Sequence, residues 1–161
     1  MINSKLIYKI LGQLLFIEAF LLFISLLVAY YYQQEDVFAF VISTLATIGG
    51  GLILKWRGHG ADNSMSRRDA YLVVSLSWII FSLFGTLPFM ISGYISNFTD
   101  AYFETMSGFT TTGATILDDV ECFPHGLLFW RSLTQWIGGL GIVFFTIALL
   151  PSLVGGQTKV F

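Results

Sequence analysis

The sequence predicts an all-α integral membrane protein: four transmembrane helices plus one re-entrant pore helix and filter loop. Three observations predict it. Hydrophobic residues make up 55% of the 161 and charged residues only 11%, against about 25% charged in an ordinary soluble domain. The apolar residues gather in four long runs, with nearly all basic residues on one side of them. One segment between the third and fourth runs is too polar to face lipid. A net charge of −2 gives nucleic acid nothing to bind, and the single cysteine, Cys122, allows no internal disulfide.

Between Lys9 and Glu35 lie 25 residues whose one charge is Glu18, enough to cross a hydrocarbon core that needs roughly 20 helical residues. The run is too long for a signal peptide and no small-residue cleavage site follows it. Val37–Leu54 is a second uncharged run, and Ala70–Ile91 a third, with Pro88 near its end where a lost backbone hydrogen bond costs least. The fourth runs from about Pro124 to Leu150. Pro124 suits a first helical position, and Pro151 marks the expected stop.

Residues 99–115 differ. They hold Asp100, Glu104, two glycines and six threonines, so they cannot be a lipid-facing span. The front half reads as a short helix over 99–109 that Thr99 or Asp100 can cap. TTTGAT over 110–115 then breaks the helical pattern as an extended segment. Irregular backbone at membrane depth is tolerated only where protein buries it or where it lines a water-filled cavity.

Charge sets the orientation. Lys5, Lys9, Lys55, Arg57, Arg67, Arg68 and Lys159 all fall on one side if residues 99–115 re-enter and return. Cytoplasmic loops are rich in Lys and Arg, so both termini are expected in the cytoplasm. Asp118, Asp119 and Glu121 then lie outside, where they concentrate cations at the mouth.

Potassium sheds its water only where oxygens replace the hydration shell, as rings of four TVGYG-type loops do. Thr111, Thr112, Gly113 and Ala114 can be laid over the first four letters of that pattern, with Gly113 free to adopt a backbone that a Cβ resists. The preceding helix aims its negative C-terminal end at the segment. Arg131, about two turns into the fourth span, needs a partner or water, and Glu104 is the expected partner. Gly138, Gly139 and Gly141 read as close-packing positions. His59 and His125 lack companions at metal spacing, and no nucleophile–base pair points to an enzyme.

Three strings then matter together: Thr86–Phe89, DAYFETMSGFTTTGAT at Asp100–Thr115, and LFWRSLTQWIGGLGI at Leu128–Ile142, ending in Ala148–Pro151. In order and spacing the chain resembles the TrkH branch of the Trk/Ktr/HKT potassium-transporter superfamily. The resemblance implies K⁺ uptake across the bacterial inner membrane with no cofactor. Thr111 and Thr112 would act as carbonyl ligands and Gly113 as the filter glycine, flanked by Thr110, Ala114 and Thr115. A glycine at this place goes with potassium in that family, a serine with sodium. Residues 1–69 would be two accessory helices and a cytoplasmic loop, and residues 70–161 the first of four membrane–pore–membrane repeats. A filter needs four loops, so a truncated four-repeat protein is expected ahead of a single-repeat homotetramer or a non-transporting subunit. The resemblance further implies a homodimer and a TrkA-like cytoplasmic ring of nucleotide-binding regulatory subunits.

Overall fold

The computed structural model describes residues 2–62 and 64–154, and every regular element among them is a helix. The order is α1 (Ser4–Tyr31), α2 (Val37–Arg57), α3 (Arg67–Gly85), α4 (Leu87–Ile91), α5 (Phe98–Phe109) and α6 (His125–Val154). Three stretches, Ser4–Tyr31, Val37–Arg57 and Arg68–Ile91, are long and apolar enough to cross a membrane. The fourth long helix, α6, has 30 residues, a length of about 45 Å at 1.5 Å per residue.

α1 and α2 form an antiparallel hairpin whose backbones touch. A Cβ added at Gly12 would lie 2.9 Å from the Gly51 carbonyl oxygen, so small residues there set the helix separation. Asn3 caps α1 by accepting from the Leu6 N–H at 3.2 Å. Its own N–H donates to Asp69 at 3.0 Å, which ties the start of α1 to the start of α3. Ser66 and Asp69 form a reciprocal capping box there, each satisfying a backbone donor of the other.

The third span is broken. α3 stops at Gly85, Thr86 turns the chain, and Pro88 lies in the first turn of α4, where its missing N–H has no helical partner to lose. Pro88 thus starts a new helical turn instead of ending an old one. Pro124 likewise sits one residue before α6, its carbonyl accepting the Leu128 N–H at 3.0 Å. Pro151 does not stop α6, which runs on to Val154; a proline forfeits one bond, and the helix continues past it. Lys159 lies outside the described residues.

One core joins the two segments that the sequence reading divides at residue 69. Leu22, Ala29 and Phe40 from the hairpin pack with Phe89, Ala101, Phe109, Leu127 and Trp130. Trp130 is fully buried, and its Nε1–H donates to the Gly85 carbonyl at 2.9 Å. Glu18 is also buried on α1, facing protein and not lipid.

Candidate functional site

The short helix α5 is buried against α3 and α6, because its neighbours leave room for backbone at the contact. A Cβ on Gly108 would collide with Thr134 of α6, and one on Gly138 would collide with the Phe109 carbonyl oxygen. Gly138 therefore lets α6 touch the C-terminal turn of α5. On the other side, Ser82 of α3 donates to the Met106 sulfur at 3.1 Å. The cap is Asn97, which accepts from the Thr99 N–H at 2.9 Å. Thr99 and Asp100 are inside the helix, since the Asn97 side chain reaches the free donor first.

The end of α5 leads into the candidate filter segment. The Thr111 N–H donates to Gly108 O at 2.9 Å and the Thr112 N–H to Ser107 O at 3.0 Å. This pair of bonds is a Schellman closure with a left-handed residue one position past the cap. Glycine usually fills that position; here it is Thr111, at φ +56°. A β-branched residue is uncommon there, at a cost of about 1–3 kcal/mol. Gly113 follows at φ +74°, and Thr112 and Ala114 between and after them keep negative φ. The segment is thus not uniformly extended as the sequence suggested. In an extended chain of one handedness successive carbonyls alternate sides, whereas alternation in the sign of φ turns them toward a common side.

The back of the segment is held by side chains of α5. Ser107 Oγ donates to the Ala114 carbonyl at 2.6 Å, which engages that oxygen within the protein. Glu104 accepts from the Thr115 hydroxyl at 2.9 Å and from the Ile116 N–H at 3.2 Å. Arg131 Nε–H donates to the same carboxylate at 2.6 Å; the Glu104 side chain is 2% exposed and that of Arg131 19%. Thr110 bonds back to Met106 O at 2.7 Å and contacts the Thr112 hydroxyl at 2.9 Å. The opposite side of residues 111–116 is exposed.

Beyond the segment, Asp119 accepts from the Cys122 thiol at 2.9 Å and from the Glu121 N–H at 3.0 Å. Those bonds, the thiol first, hold its carboxyl below the usual range, and Asp119 in turn pushes the Cys122 thiol up. The hairpin turn between α1 and α2 clasps the start of α6. Gln34 Oε1 accepts from the His125 N–H at 2.6 Å, and Asp36 Oδ2 from the Leu127 N–H at 3.1 Å. Tyr32 stacks on the His125 ring at 4.1 Å. A Cβ at Gly126 would run into the Asp36 carboxylate.

Sequence reasoning named Thr110–Thr115, Glu104 and Arg131, and the structure brings Glu104, Arg131 and Thr115 into contact. It missed Ser107, Asn97, Gln34 and Asp36. Ser107 is one serine in a polar helix, and the hairpin clasp joins residues 91 apart in the chain; local pattern marks neither.

A family profile described as a cation transport protein matches residues 34–161. The chain is 36% identical to the Trk system potassium uptake protein TrkH of Halomonas elongata over 157 residues, 96% of this chain and 33% of that protein. It is 32% identical to the Trk system potassium uptake protein TrkG of Escherichia coli over 162 residues, 99% of this chain and 33% of that protein. The crystal structure of the potassium transporter TrkH from Vibrio parahaemolyticus superposes with a TM-score of 0.86 at 34% identity, covering 96% of this chain and 34% of that one. The chain thus spans about a third of the length of these relatives. These are transport proteins and not enzymes, and this chain belongs to the TrkH family.

Proposed function

We propose that this chain contains the first of four pore repeats in a bacterial potassium-uptake protein. The carbonyls of Thr111 and Thr112 and the backbone of Gly113 would supply one quarter of the selectivity filter. One observation carries the reading. A segment of alternating handedness starts at the C-terminal end of a short buried helix, its back bonded to Ser107 and Glu104 and its front open. Such a front can present consecutive oxygens to a dehydrated cation, and the helix end adds partial negative charge. The names of the relatives support potassium as the ion.

In this reading residues 70–161 form the pore repeat and residues 1–69 brace it. Three further repeats complete the ring, in a homodimer of the whole protein in the inner membrane. A cytoplasmic ring of nucleotide-binding subunits regulates it. Both ends of this segment face the cytoplasm, because that arrangement puts Lys5, Lys9, Lys55, Arg57 and Arg68 inside.

The test is growth of a potassium-uptake-deficient strain at low K⁺ with the full-length protein and with Gly113→Ser. The parent restores growth, and Gly113→Ser admits Na⁺ at the expense of K⁺. Membrane insertion without growth rescue by the parent rejects the reading.

A further inference from the structure

The basic end of the α1–α2 hairpin holds a pocket of about 400 Å³ lined by Lys9, Lys55, Gly58, His59, Gly60 and Ala61. It exists because Gly58 closes α2 directly onto α1: a Cβ there would lie 2.8 Å from the Lys5 carbonyl oxygen. Further along the same hairpin runs an apolar groove of about 320 Å³ lined by Phe16, Ala19, Phe20, Phe23, Thr44 and Ile48. Helical register joins the two. Lys9, Phe16 and Phe23 are spaced by seven on α1, and Ile48 and Lys55 by seven on α2, so each set lies on one helix face. Lys55 Nζ sits 5.7 Å over the centre of the Phe16 ring, at the junction of pocket and groove.

The geometry points to a binding site for an anionic phospholipid, with its phosphate between Lys9 and Lys55 beside His59 and one acyl chain along the Phe16–Phe23 groove. Charge complementarity selects the headgroup, since basic pockets between transmembrane helices favour anionic lipids. The groove selects a lipid over a free anion, because an inorganic phosphate leaves Phe16, Phe20 and Ile48 uncovered. A dissolved peptide would likewise not reach a groove that lies at bilayer depth. The site depends on the hairpin being membrane-embedded and not on ion conduction.

The test uses the full-length protein carrying this segment, purified in detergent and equilibrated with phosphatidylglycerol, phosphatidylcholine or inorganic phosphate. Native mass spectrometry counts retained lipid. Phosphatidylglycerol is retained over phosphatidylcholine, and inorganic phosphate does not displace it. Lys9→Gln with Lys55→Gln weakens retention about fivefold per lysine, roughly twenty-five-fold for the pair. Lys9→Arg with Lys55→Arg keeps it, which separates lost charge from lost folding. Ile48→Trp fills the groove and loses the lipid with both lysines in place. The proposal is overturned by equal retention of phosphatidylcholine, by displacement with inorganic phosphate, or by unchanged retention in either the Gln pair or Ile48→Trp. Loss in the Arg pair as deep as in the Gln pair overturns it as well. None of these readouts depends on potassium transport.

Discussion

Arg131 Nε and Glu104 Oε1 lie 2.6 Å apart, and the same carboxylate accepts the Thr115 hydroxyl and the Ile116 N–H. The pair therefore does more than neutralise an intramembrane arginine. It fixes the last residues of the candidate filter to α5 on one side and to α6 on the other. Removing one partner of a buried pair strands the other charge, typically at about 3–5 kcal/mol. Glu104→Gln and Arg131→Met should each lower the thermal stability of the full-length protein and abolish uptake. Exchange of the two, Glu104→Arg with Arg131→Glu, should recover folded protein but not selectivity, because arginine has no acceptor for Thr115 or Ile116. Full recovery of K⁺ over Na⁺ selectivity in the exchange variant would show that the filter does not depend on those two bonds.

Thr111 and Gly113 share a left-handed backbone for different reasons. At Gly113 nothing lies within 4 Å of an added Cβ in this chain, so Gly113→Ala meets only the backbone cost of about 1–2 kcal/mol. At Thr111 that cost is already present. Thr111→Gly should raise thermal stability by about 1 kcal/mol while loosening the turn that starts the filter. Selectivity should fall although stability rises. A variant that is more stable and equally selective would mean that the strained turn does not set the carbonyl positions. The measurement is ⁸⁶Rb⁺ uptake in proteoliposomes against competing Na⁺.

The hydrophobic runs made the long helices legible, because burial in lipid demands uninterrupted apolar length and nothing subtle. The short helix and its glycine were legible for the opposite reason: polar residues stood where lipid tolerates none. The Glu104–Arg131 contact was legible too, since a charge at that depth needs a partner and Glu104 was expected in the same half of the bilayer. What sequence could not give was geometry at the ends of helices. Thr111 takes the role usually held by glycine, and Asn97 caps α5 in place of Thr99 or Asp100; both outcomes depend on where the chain arrives from. The clasp of Gln34 and Asp36 on α6 is a tertiary contact, invisible to any window along the chain.

Cys122 offers a direct check on sidedness. It is exposed on the loop that follows the candidate filter, the loop placed outside by the proposed topology. A membrane-impermeant maleimide added to intact cells should label it, and Cys122→Ser should remove the label. The thiol is pushed up by its bond to Asp119, so it carries less thiolate at a given pH than a free cysteine. Asp119→Asn removes that charge and lowers the thiol toward its ordinary value, and labelling near neutral pH should become faster. Labelling only after permeabilisation would invert the proposed topology. An unchanged rate in Asp119→Asn would show that the carboxylate does not control the thiol.

Asp36 joins the hairpin to the start of α6, and that joint should respond to pH. Its carboxyl is raised above the ordinary aspartate range, chiefly by burial, while the N–H groups of α6 and nearby His125 pull the other way. A raised carboxyl contributes stability that is complete below the unfolded value and is lost as pH rises through the folded one. The parent protein should therefore lose stability relative to Asp36→Asn as pH climbs from acid toward neutral. Asparagine keeps an oxygen for the Leu127 N–H without a charge to bury, so its unfolding temperature should lack this component. Asp36→Ala removes the acceptor altogether and should cost about 1 kcal/mol relative to Asp36→Asn at every pH, as loss of a helix cap does. Thermal unfolding of the full-length protein in detergent across a pH series separates the three. Parallel curves for parent and Asp36→Asn would mean that Asp36 does not titrate in that range, leaving the clasp a purely structural contact.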